Sequence, residues 1–210
     1  GDGINRLVLQ KGFEVVQNTV DTDLFFYKEK ENSVFRFIHV SNMVPLKNAE
    51  GILRSFKLLL EKNVNASLVM VGDTGHDIRR YANKLGLPEQ SIEFKGEISY
   101  SQVAQEMQAA NCLLLFSNIE NSPCVIGEAL CCGLPVIATE VGGIPELVDK
   151  TNAILVSPGD EMALSNAMME MLKNTENYNQ KLIAEKARNK FSYTEIGKKL
   201  DGVYAATSGH

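Results

Sequence analysis

Histidine, cysteine, charge of one sign and long apolar runs are all scarce in this chain of 210 residues, and each scarcity removes a class of function. The three histidines, His39, His76 and His210, have no helical spacing to one another or to a cysteine that would build a metal site, so no protein-held metal is expected. The four cysteines, Cys112, Cys124, Cys131 and Cys132, include no C-x-x-C pair, which argues against a zinc or redox motif and against a disulfide framework. They read as small buried hydrophobes in a reducing compartment. Twenty-one basic residues against 26 acidic ones give a net charge of −5 with no block of like charge, so nucleic acid is not an expected partner. No apolar run approaches the roughly 20 residues needed to span a bilayer. The N-terminus lacks the basic-then-apolar layout of a signal peptide, and the expected location is cytoplasmic.

What is present is a regular alternation. Short apolar runs at Phe35 to Ser41, Ser67 to Gly72, Ile92 to Lys95, Cys112 to Ser117, Pro135 to Thr139 and Ala153 to Val156 read as strands. Between them Ile52, Leu53, Phe56, Leu59 and Leu60 share one helical face, as do Val103 with Met107, and Leu164 with Ala167, Met168 and Met171. Gly86 and Pro88 should end a helix over Asp77 to Leu85, Ser99 with Gln102 makes a capping box, and Asp160 caps the helix of Leu164. Strand and helix in strict alternation predict an α/β fold with a doubly wound parallel sheet, Rossmann-like. The expected division is a remnant of another domain plus linker over residues 1–34, a ligand-binding domain over 35–190, and a closing helix with tail over 191–210. A helical piece at Arg6 to Leu9 and a strand-like Phe13 to Val16 belong to the first part.

Open parallel sheets bind ligands beyond the carboxyl ends of their strands, which directs attention to the loops there. The stretch from Glu120 to Glu146 joins a loop, a helix, a strand and a second loop. Ser122 reads as an N-cap and Pro123 as the first helical residue, so the amides of Cys124 and Val125, with the helix dipole, would form a phosphate site. Glu120 lies before that helix and Glu128 within it, and helical side chains lean toward the N-terminus, so both carboxylates can face one ligand. Carboxylates accept hydrogen bonds from vicinal hydroxyls and repel phosphate, which suits a grip on the two ends of a nucleotide sugar. Gly142 and Gly143 read either as a tight turn or as a backbone approach to substrate. Asp21 and Asp23, although an Asp-x-Asp pair, stand in the linker and not after a strand, the wrong place for a metal-nucleotide motif.

Glu120 and Glu128, with seven residues between them and followed by Ala129, Gly133, Leu134, Pro135, Val136, Gly142, Gly143 and Glu146, resemble the signature of the group 1 (family 4) retaining glycosyltransferases of GT-B fold. Val16 to Phe25 is similar to that family's interdomain strand and linker, Val40 to Lys47 to its phosphate loop, and Phe191 to Tyr193 to the start of its closing helix. The resemblance implies that Glu120 holds hydroxyls of the donor sugar, Glu128 the ribose and Lys47 the departing diphosphate. It further implies that Gly72 and Asp73 border the nucleotide while backbone groups near Ile98 read the base. The implied reaction moves a sugar from a nucleotide diphosphate to an acceptor hydroxyl with retention, without a cofactor or metal. The acceptor would be a glycan or lipid-linked glycan reached through the missing N-terminal domain, with the full-length protein cytoplasmic or peripheral at the inner face of a membrane.

The sequence departs from that pattern in three places. Asn42 stands where the family usually has an arginine, so one charge partner for phosphate is missing; Asn121, Ser122 and Pro123 replace a Gly-Phe-Gly; Thr19 replaces a linker glycine. The alternatives are a non-catalytic nucleotide-sugar-binding module and a nucleotide-sugar 2-epimerase.

Overall fold

Alternate residues of the strands face opposite sides of one sheet, and in this protein both sides are apolar. Phe37, Leu68, Met70, Cys112, Leu114 and Ile137 pack into one buried layer, while Ile38, Val69, Val71, Leu113, Leu115, Val136 and Ala138 pack into the other. A sheet buried on both faces needs helices on both, which is the condition under which parallel strands are stable. The computed structural model describes residues 17–30, 33–73 and 76–207; the expected elements at Arg6 to Leu9 and Phe13 to Val16 lie outside the described residues.

Among the described residues the strands are β1 (Phe35–Val40), β2 (Ala66–Val71), β3 (Ile92–Gly96), β4 (Cys112–Leu115), β5 (Val136–Thr139) and β6 (Ala153–Val156). They form one sheet in the order β3-β2-β1-β4-β5-β6, and every pairing is parallel. The helices are α1 (Ala49–Leu60), α2 (His76–Leu85), α3 (Tyr100–Ala109), α4 (Cys124–Cys131), α5 (Ile144–Leu147), α6 (Glu161–Lys173), α7 (Gln180–Phe191) and α8 (Tyr193–Thr207). Buried residues of α1, α2 and α6 join the first layer; those of α3, α4 and α7 join the second. The expected doubly wound α/β fold is therefore the fold observed, including the capping box at Ser99 and the Asp160 cap.

Strand order reverses between β1 and β4. From there the chain winds outward in both directions, and the carboxyl ends of these two strands mark the place where open α/β sheets form a ligand crevice. The linker is laid against the second layer: Val20 and Phe25 are each 1% exposed, and the Val20 N–H donates to the Phe191 carbonyl at 2.8 Å. Lys30 extends this attachment by donating to the Ala110 carbonyl just ahead of β4.

Two features shape the β1 end of the crevice. His39 sits with Nδ1 2.9 Å from the Leu114 carbonyl and Nε2 2.8 Å from Ser41 Oγ. A carbonyl only accepts, so Nδ1 carries the proton and Nε2 accepts from the Ser41 hydroxyl. Ser41 Oγ in turn accepts from the Met43 amide at 3.0 Å, supporting Met43 in a left-handed conformation (φ 54°) at the bend of the loop. The second feature is Gly72, at φ 123°, where a Cβ would stand 1.7 Å from the Ser41 carbonyl oxygen. The residue is confined to glycine both by conformation and by this approach of β2's end to β1's.

Gly72→Ala is accordingly expected to lower stability by about 3 kcal/mol or more in urea denaturation. Burial pushes the His39 imidazole down to about 4 from its ordinary 6.5, with Lys47 adding to the effect and the Leu114 hydrogen bond and Glu120 opposing it. The unfolded chain therefore binds the proton first as pH falls, and His39 costs stability between pH 6.5 and 4, up to about 3 kcal/mol. Urea titrations across that window should show a shallower loss for His39→Gln than for the natural chain.

Candidate functional site

The loop after β1 turns at Met43, then enters a 3-10 turn at Pro45–Lys47 that Pro45 starts with its fixed φ. Asn48 closes it in a left-handed conformation and caps α1, its side chain accepting from the Gly51 amide at 3.2 Å. This sequence of turns brings Lys47 back over the crevice. The loop after β4 comes to meet it: the Asn118 amide donates to the Leu46 carbonyl at 2.8 Å, and Lys47 Nζ lies 2.6 Å from Glu120 Oε1. The Glu120 side chain is 7% exposed and that of Lys47 25%, so the pair is largely removed from water. Separating such a pair without replacing either partner costs about 3–5 kcal/mol.

Glu120 Oε1 receives a second donor, the buried Ser117 hydroxyl at 2.7 Å, and the Ser117 carbonyl accepts from Thr139 Oγ1 at 2.7 Å. The end of β5 thus supports the end of β4. The loop after β5 packs on the same segment, backbone against backbone. The Gly143 amide donates to the Asn121 carbonyl at 2.9 Å. A Cβ on Gly142, at φ 53°, would fall 1.6 Å from the Glu120 carbonyl oxygen, and one on Gly143 would fall 2.3 Å from that of Asn121. These two glycines permit the loops after β4 and β5 to touch, a role beyond the turn and substrate-approach readings of the sequence.

Helix α4 starts at Cys124 with Pro123 as its N-cap, one residue later than the sequence reading, and without a side-chain cap. Ser122 is not the cap, a correction with a tertiary cause: Asn18 Nδ2 from the linker donates to the Ser122 carbonyl at 2.9 Å and lies 3.4 Å from its hydroxyl. The leading amides of α4, Cys124 and Val125, are among those with no partner inside a helix. Cys124 is exposed, unlike Cys112, Cys131 and Cys132, so the expectation of four buried cysteines fails at the residue that opens α4.

Glu128, on the second turn of α4, is 9% exposed, and its Oε1 accepts from Tyr100 Oη at 2.7 Å. Burial raises the Glu128 pKa while the Tyr100 hydrogen bond works against the rise; the same pairing, together with burial, raises the phenol. Tyr100 opens α3 and its ring lies 4.9 Å from that of Phe25. Ile98, just before it, packs partly buried on the second layer. Asn42 and Asp73 are exposed at the ends of β1 and β2. Lys47, Glu120, Glu128, the α4 amides, Gly72 and Ile98 thus all lie along the carboxyl edge. Ser117, Thr139 and Tyr100 were not legible as part of it: nothing local in the sequence pairs a hydroxyl with a carboxylate 28 residues further along the chain, as Tyr100 does.

Comparison with known proteins places this edge in context. N-acetyl-alpha-D-glucosaminyl L-malate synthase of Bacillus anthracis is 28% identical over 178 residues, 79% of this chain and 46% of that protein. Sucrose-phosphate synthase of Thermosynechococcus elongatus superposes with a TM-score of 0.82 at 21% identity, covering 97% of this chain and 55% of the other. Anabaena HepE, solved with UDP and also with UDP-glucose, gives TM-scores of 0.79 and 0.77 at 22% identity, covering 92% of this chain and 57% of its own. The chain therefore spans about half the length of these proteins and shares the Rossmann-like fold of GT-B structures. Since the family model for Glycosyl transferases group 1 matches residues 21–190, a span that holds Lys47, Glu120 and Glu128, this protein belongs to the group 1 glycosyltransferases.

Proposed function

We propose that this chain is the donor-binding half of a retaining, family 4 glycosyltransferase, taking a nucleotide diphosphate sugar at the carboxyl edge between β1 and β4. The observation that carries the reading is the convergence of Lys47 and Glu120 from separate loops onto one 2.6 Å contact beside the start of α4. A cation, two carboxylates and a helix N-terminus have the chemistry of the ligand's three parts. Lys47 and the amides of Cys124 and Val125 hold the diphosphate, Glu120 the sugar hydroxyls and Glu128 the ribose. Gly72, Asp73 and the backbone near Ile98 border the nucleotide, and Ser122, Gly142 and Gly143 shape the loops around the sugar. As the glycosidic bond breaks, negative charge builds on the leaving diphosphate, and Lys47 and the α4 amides stabilise it without a metal. That Anabaena HepE is solved with UDP and UDP-glucose supports this assignment of ligand class.

The acceptor, a glycan or lipid-linked glycan, would be held by a further domain facing the same edge. Val44, Leu46 and Ile119 support this: they are 39%, 50% and 65% exposed on the two loops that carry Lys47 and Glu120, and offer apolar surface to such a domain. A lipid-linked acceptor would be met by the full-length protein at the inner face of a membrane; among the described residues no helix is long and apolar enough to cross one. Asn42, exposed where the family carries an arginine, favours one second reading, a module that binds the donor without transferring its sugar.

Calorimetric titration with UDP, GDP, UDP-glucose and GDP-mannose tests the donor site. Saturable binding of one nucleotide class is expected, falling tenfold or more in Glu128→Ala, since a hydrogen bond to a charged group contributes about 1.5–3 kcal/mol. A well-folded chain that binds none of the four contradicts the reading. Lys47→Ala should weaken UDP or GDP about tenfold while changing binding of the matching nucleoside little; equal losses for both would remove Lys47 from the diphosphate. Sugar transfer by the full-length protein decides between the enzyme and the binding module, and epimerised donor without transfer would point to a 2-epimerase.

A further inference from the structure

The two site carboxylates share a pattern. Each has Oε1 engaged by a protein hydroxyl at 2.7 Å, Glu120 by Ser117 and Glu128 by Tyr100. We propose that Ser117 and Tyr100 are positioning residues for the donor: each pins one oxygen of its carboxylate and so presents the other, Oε2, to the hydroxyls of the sugar and of the ribose respectively. The inference rests on the donor-site reading above and extends it to groups that do not touch the ligand.

A glutamate carboxylate turns about a broad, soft terminal torsion, so a side chain that must meet two vicinal hydroxyls needs its plane fixed by something else. A hydrogen bond to an ionised oxygen is short and strong enough to fix it. Both hydroxyls sit on rigid supports. Ser117 is fully buried and its carbonyl is tied to Thr139 on the neighbouring strand at 2.7 Å. Tyr100 starts α3 directly after its N-cap Ser99, inside the Ser99–Gln102 capping box, and its ring leans on the buried Phe25.

The Ser117 bond has a second consequence, because Lys47 engages the same Glu120 oxygen. When the diphosphate draws the lysine toward itself, the buried carboxylate would lose its only charged partner among the described residues. The Ser117 hydroxyl stays, keeping a donor on the inner oxygen while the sugar hydroxyls take the outer one. Lys47 can then serve the diphosphate without leaving Glu120 bare, at a site where an unsatisfied buried charge is costly.

The test is a crossed set of titrations on this chain with UDP, UDP-glucose and 2′,3′-dideoxy-UDP, or the GDP, GDP-mannose and dideoxy-GDP set if guanine is the base bound. Tyr100→Phe is expected to weaken UDP about tenfold and to have little effect on the dideoxy nucleotide, which offers Glu128 nothing to grip. Ser117→Ala is expected to weaken UDP-glucose more than UDP, by a similar factor, and Ser117→Thr to restore it. A loss that is equal across all three ligands for either variant is the mark of damaged packing and overturns the role assigned to that residue. In parallel, the side-chain carboxyl 13C resonances of Glu120 and Glu128 in the ligand-free chain should move in Ser117→Ala and Tyr100→Phe respectively. Unmoved resonances overturn the anchoring whatever the ligand. Resonances that move in the variants while the natural chain binds no nucleotide keep the anchoring but overturn the donor site and with it the positioning role.

Discussion

A carboxylate that is 7% exposed must find its hydrogen-bond donors inside the protein, and the arrangement of the carboxyl edge follows from where Glu120 finds them. One donor is Lys47, which reaches it only because the β1 loop bends left-handed at Met43 and turns again at Pro45. Another is Ser117, held from β5 through Thr139. The neighbouring His39, its imidazole kept neutral by burial against the pull of Glu120, ties the end of β1 to the Leu114 carbonyl and to Ser41. The charge at Glu120 therefore places demands on three strands, and the switch in strand order between β1 and β4 is what lets their loops meet those demands at one point.

The fold was legible because its signals are local and repeated. The strand at Ala153 to Val156 matched to the residue, and the Ser99–Gln102 box and the Asp160 cap formed as their chemistry requires. The β4 run was read two residues too long because Phe116 and Ser117 stay buried beyond the last paired residue, Leu115. What escaped depends on distant partners. Ser122 looks like an N-cap until Asn18, 104 residues away, takes its carbonyl. Cys124 looks like a core residue until the helix it opens is seen to begin at the surface. Glu120, Glu128 and Lys47 were visible as a spaced pattern, whereas the hydroxyls that hold the carboxylates were not, since any serine or tyrosine at a helix or strand end looks alike in one dimension.

The two carboxylates also differ in a way their shared geometry conceals. Among the described residues Glu120 has a cation beside it, whereas Glu128 has only a phenol, and burial raises its pKa against that phenol's pull. The edge thus runs from an ion pair near β1 to a neutral-donor contact near α3. Along such a gradient an anionic group is best accommodated toward Lys47 and a hydroxyl-bearing one toward Tyr100.

Gly142 and Gly143 press the loop after β5 directly onto the backbone of Glu120 and Asn121, leaving no side chain between them to absorb a change in either. The two segments therefore behave as one part. Anyone transplanting specificity between related enzymes would have to move them together, because a β4 loop borrowed alone would arrive without the surface it was moulded against, and the mismatch would be felt at the carboxylate first.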